Sequence, residues 1–153
     1  MLNQMLLWSS FILPWLLLIP LQRKQMKRFL PAALFGALLL TIVFQVAEQF
    51  RWWEIQENII ILTSVTPFVY GIFLVGTIII LYFTYFNFWV YIITNLIIDA
   101  FLSFGVNALY EYLGIYRLIH IDSFGIYALT ILIAVLIYSF QRSMDKVIYV
   151  EDQ

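Results

Sequence analysis

The chain has no cysteine and a single histidine, His120. The first absence excludes disulfides, thiolate nucleophiles and cysteine metal sites, and leaves the redox compartment open. The second excludes a paired-histidine zinc motif such as H-E-x-x-H. Charge is scarce as well: 11% of residues are charged and 64% are hydrophobic, against roughly 25% charged in a soluble domain. With a mean hydropathy of +0.96, such a chain cannot clothe a water-facing surface, and it reads as one integral membrane domain over residues 1–153. Nucleophile-elbow, phosphate-loop and dinucleotide signatures are also missing, and Ser64, Ser103 and Ser123 have no adjacent base in sequence. Catalysis therefore finds little support. No cofactor or metal is indicated, and no segment is left over to read nucleic acid. His120 and Asp122, two apart, form either a metal-binding pair or an interfacial polar pair.

What is present is apolar length. Five segments, about 2–21, 29–47, 67–84, 88–109 and 124–140, approach the ~20 residues that cross ~30 Å of hydrocarbon. Backbone groups in lipid must be bonded internally, and these runs do not alternate polar with apolar, so they read as helices. The expectation is an all-α, polytopic transmembrane helical bundle of about five spans. Residues 59–66 are read as interfacial or irregular, because "TSVTPF" (Thr63–Phe68) sets a proline behind a polar patch. The first segment reads as a retained span, since its charges follow the apolar run and no small-residue cleavage site is seen.

Charge distribution predicts the orientation. Arg23, Lys24, Lys27, Arg28, Arg142 and Lys146 fall on one side of a five-span chain, and Arg51 and Arg117 on the other. Basic loops stay inside, so the prediction is N-out and C-in, a multi-pass protein of the cell membrane. The basic Gln22–Arg28 loop suits anionic headgroups. The outer loops carry Glu48, Glu54, Glu57, Glu111 and Asp122, an acidic face that either raises local cation concentration or is simply solvated. Trp52, Trp53, Tyr110, Tyr112 and Tyr116 fit an aromatic belt at the boundary.

The strings "LPW", "KRFLPAALF", "RWW", "PFVYGIFLVGT", "FWVYIITNLIIDAF" and "LGIYRL" together resemble a group of small, functionally uncharacterised five-span membrane proteins of Gram-positive bacteria. The resemblance implies the cell membrane and supplies no activity, so no site residue follows from it.

The candidate site rests on polar residues within apolar helices. Asn95, Asp99, Ser103 and Asn107 recur every fourth position, at about 0°, 40°, 80° and 120° around a regular helix, a drifting stripe on one face. Thr41, Gln45, Glu48 and Gln49 form a second stripe. Counting ~1.5 Å per residue outward from the inner ends places Thr41 level with Asp99, Gln45 with Ser103 and Glu48 with Asn107. Matching depths predict two helices facing one another, or a shared cavity open to the outer side, with Asp99 near Thr41 or Gln45. The stripes serve either packing or the holding of a cation, proton or small polar ligand; in a third reading Asp99 faces a partner protein.

Small residues at Ala32, Ala33, Gly36 and Ala37, and at Ala100, Gly105 and Ala108, are expected to mark close helix contacts, within the chain or with another copy. Pro31 reads as a helix start and Pro14 as a mid-helix kink. Gly71 and Gly76 read as points of irregularity in the third helix. Three functions follow: a non-catalytic membrane subunit or assembly protein contacting other membrane proteins; a small-solute or cation binding or transport component using an outward-open site around Asp99; and a lipid-modifying or proton-relay enzyme.

Overall fold

The computed structural model describes residues 1–151; Asp152 and Gln153, the end of the expected domain, lie outside the described residues. Five helices follow in order: the first Leu2–Leu16, the second Arg23–Gln49, the third Val69–Thr84, the fourth Phe88–Tyr112 and the fifth Ser123–Glu151. Among the described residues, three are long and apolar enough to cross a membrane: Arg23–Gln49, Phe88–Tyr112 and Ser123–Ile148. The fifth helix, at 29 residues, is roughly 43 Å long and exceeds the ~30 Å of hydrocarbon. "QRSMDK" is thus part of this helix, not a separate tail. The second helix begins at Arg23, so Pro31 lies inside it and does not start it.

Residues 59–66 hold no helix. Asn58 organises this stretch: its side-chain amide donates to the Val65 carbonyl at 3.0 Å and its oxygen accepts from the Ile59 N–H at 2.9 Å. The third helix then opens with a π-helical turn at Val69–Phe73. Here Gly71 is required by contact: a methyl group on it would overlap the Ser10 carbonyl oxygen of the first helix. The small residues of the second helix are spent in the same way. Ala32, Ala33, Gly36 and Ala37 are all buried, and a side chain at Gly36 would meet Ile137 and Phe73. On the fourth helix, by contrast, Gly105 and Ala108 are exposed, so the expected close contact through them is not formed within the chain.

One end of the bundle departs from an all-α fold. Strands β1 (Trp53–Ile55) and β2 (Tyr116–Leu118) pair antiparallel, Trp53 with Leu118, Glu54 with Arg117 and Ile55 with Tyr116. Both strands are launched by the same device. After the second helix, Trp52 N–H bonds to the Ala47 carbonyl and Arg51 N–H to that of Glu48, with Arg51 at φ 53°. After the fourth, Ile115 N–H bonds to Tyr110 and Gly114 N–H to Glu111, with Gly114 at φ 70°. These are Schellman turns, which need a left-handed residue just beyond the helix. Glycine meets that need freely; arginine does so at a cost of about 1–2 kcal/mol.

The two turns aim the chains at each other. Gln56 and Glu57 N–H groups bond to the Ile115 carbonyl, and Ile119 and His120 N–H groups to that of Trp52. The start of the first helix is tied to this end as well. Asn3 and Gln4 donate to the two oxygens of Glu57 at 2.7 and 2.9 Å.

Candidate functional site

The four polar residues of the fourth helix are all buried, with exposures of 7% for Asn95, 7% for Asp99, 1% for Ser103 and 4% for Asn107. A regular helix would not achieve this, because a four-residue step advances each side chain by about 40°. Directly after Ala100 the helix winds as a π-helix over Phe101–Val106. Bonding to i+5 turns each residue through a smaller angle, so the four-residue steps in that segment swing back instead of forward. The drift is cancelled, and the stripe faces inward along its whole length.

Asp99, Ser103 and Asn107 line a cavity of about 100 Å³. Asp99 also borders a second void of about 10 Å³ with Thr77, Tyr91 and Asn95, and Thr130 of the fifth helix borders both. Thr130 is the hydroxyl that Asp99 meets across the helix interface. Asn95 donates to the Tyr91 carbonyl at 2.8 Å, and the Asn107 amide donates to the Ser123 hydroxyl at 3.2 Å. On these lining residues three buried oxygens have no partner, Asp99 Oδ2, Ser103 Oγ and Asn107 Oδ1; Gln141 Oε1, away from the cavity, is a fourth. Leaving a buried polar group unpaired costs about 1–3 kcal/mol, and more if it is charged. Three of them follow one another along a single helix, on residues that line one cavity.

The second helix does reach this cavity, with a different face from the expected one. It contributes Leu40, Val43 and Phe44. Thr41 bonds instead to the Ala37 carbonyl and the Tyr70 hydroxyl, at 2.8 and 2.9 Å. Gln45 and Glu48 are exposed. Both the second and the fourth helix pack on the third and fifth, which stand between them. Matching depth sets the height of a residue and says nothing of its direction around the helix axis.

The β ladder roofs the cavity. Trp53, Ile55 and Tyr116 line it, whereas their paired neighbours Glu54 and Arg117 are exposed. Alternation along a strand puts successive side chains on opposite faces, so a ladder of three residues per strand supplies an apolar underside and a charged top. Tyr110 and Tyr116, expected in a boundary belt, are wall and roof of the cavity. Two polar residues near the ladder have separate tasks. His120 Nδ1 lies 2.7 Å from the Arg51 carbonyl oxygen, and Asp122 accepts from the Gly125 N–H at 2.9 Å.

At the opposite end lies a cluster that sequence reading missed. Asp145 accepts two bonds from Arg28, at 3.1 and 3.0 Å, one from Gln141 at 3.1 Å and one from the Tyr85 hydroxyl. The Arg28 guanidinium also lies 5.2 Å from the centre of the Tyr85 ring. The signal that could have found it was the lone acid among basic residues in "QRSMDK", opposite the arginine that opens the apolar run of the second helix.

No family model, curated protein or solved structure matches this chain.

Proposed function

We propose that the chain is a multi-pass protein of the cell membrane that binds a small ligand in the cavity beneath the β ladder. The observation that carries this reading is the set of three unpartnered, buried oxygens on residues that line that cavity. Supporting it, the small residues of the second helix that would suit a protein partner are already buried within the chain. All five helices serve as spans in this reading, with the ladder outside and the Arg28–Asp145 end inside, because six of the eight basic residues belong to the latter end. The fold needs no bond-making chemistry for this role; the cavity receives and holds a ligand from the outer side.

The absence of cysteine makes the test direct, since a single introduced thiol is the only one present. Ser103→Cys should react with silver ion, small enough for the cavity, added outside intact cells, and Lys24→Cys should react with the impermeant 2-(trimethylammonium)ethyl methanethiosulfonate only after the cells are opened. A Ser103→Cys thiol that stays unmodified from outside, in a folded protein, refutes an outward-open site. Labelling of Lys24→Cys from outside refutes the orientation.

A further inference from the structure

The site's chemistry narrows the ligand, and we infer that the cavity takes a short organic ammonium ion. The inference rests on the binding reading above and adds a chemical class to it. Asp99 Oδ2 and Asn107 Oδ1 are acceptors only, and Ser103 Oγ accepts as readily as it donates. No lysine, arginine or histidine stands among the lining residues to answer the carboxylate. An anion or a pure acceptor would add repulsion to three unpaired oxygens. An –NH₃⁺ group beside Asp99 brings donors to its carboxylate and the missing charge.

The rest of the wall selects the body of the ligand. Phe44, Trp53, Tyr110 and Tyr116 line the cavity; aromatic faces attract cations, and the rings also pack alkyl groups. An alkali ion would need several more oxygen ligands than this wall holds, and the side contributed by Leu40 and Val43 gives none. Size is limiting. A cavity of about 150 Å³ lined by apolar groups accepts benzene; at about 100 Å³ this one suits a ligand of roughly four or five heavy atoms. Isobutylammonium meets that description.

The experiment compares three probes of matched shape on the wild-type protein in lipid nanodiscs, by saturation-transfer NMR and thermal-shift titration: isobutylammonium, isobutanol and isobutyrate. The amine should bind saturably, at least tenfold more tightly than the alcohol, with no binding of the carboxylate. Asp99→Asn should weaken the amine at least tenfold and leave the alcohol unchanged, and Leu102→Phe, which fills the void, should weaken both. Equal or tighter binding of the alcohol, displacement of the amine by millimolar sodium or potassium, or amine binding that survives Leu102→Phe would each overturn the ammonium assignment. If none of the probes binds while Ser103→Cys is still labelled from outside, the ammonium class falls and the ligand site stands. If that thiol is also inaccessible, both fall together.

Discussion

Two aspartates sit inside this bundle at nearly the same exposure, 7% for Asp99 and 9% for Asp145, and their surroundings are opposite. Asp145 has both oxygens engaged, by the forked guanidinium of Arg28, by Gln141 and by Tyr85. Asp99 faces a cavity with one oxygen unengaged. A buried carboxylate that the fold itself satisfies contributes to holding the helices in register. One that the fold leaves unsatisfied costs stability, and that cost is explained if something outside the chain completes it. Burial alone would have ranked the two residues equally; the accounting of partners separates them.

The largest effect should come from breaking the satisfied member. Asp145→Leu removes the ion pair and both hydrogen bonds from the Arg28 guanidinium and should destabilise the protein by about 2–3 kcal/mol. That is below the ~3–5 kcal/mol of a fully buried pair, because Arg28 keeps 27% exposure and water screens it. Asp99→Asn, at equal burial, should stay within about 1 kcal/mol of the parent in the absence of ligand. Denaturation in mild detergent measures both, and equal losses would erase the distinction.

A smaller change sharpens it. Tyr85→Phe removes one donor to Asp145 while keeping the ring beneath Arg28, and should cost about 1–1.5 kcal/mol. In an Asp145→Leu background the same substitution should cost almost nothing, which a double-mutant cycle reads directly.

The smallest effect concerns a third carboxylate, outside the apolar spans. Side-chain hydrogen bonds from Asn3 and then Gln4 hold the Glu57 carboxyl below its ordinary value of 4.5. A lowered acid contributes stability that is present above the unfolded value and lost as pH falls through the folded one. The first turn of the first helix should therefore keep its hydrogen-exchange protection at pH 6 and lose it progressively below about 4.5, after correction for intrinsic rates. In Glu57→Gln the protection should no longer vary with pH in that range.

The helical segments, three of them long and apolar enough to cross a membrane, were legible because helical run and apolar length are one-dimensional properties of the chain. Apolar length and hydrogen-bond satisfaction in lipid decide them. The ladder was not legible, since Trp53–Ile55 and Tyr116–Leu118 are three residues each, too short for alternation to register. Asp99, Ser103 and Asn107 could be picked out because polar residues are expensive in apolar helices. Their companions could not. Thr130 is one more hydroxyl in an apolar helix, and Thr41 looked equivalent to it until Tyr70 was seen to engage it. Arg28 and Asp145 were counted as loop and tail charges, and only the fold brings them within 3.0 Å.

The π-helical stretch at Phe101–Val106 makes the site depend on arithmetic as well as chemistry. A π turn holds one residue more than the α turn it replaces. Deleting a single residue there would restore regular winding, and the seven steps left between Asp99 and Asn107 would turn through about 700°, within about 20° of two full turns. The ends of the stripe would keep their common face, and only the placing of Ser103 between them would depend on which position was lost. A chain with one residue fewer between its Asp and its Asn, wound as a regular helix, would therefore present both on one side as this chain does.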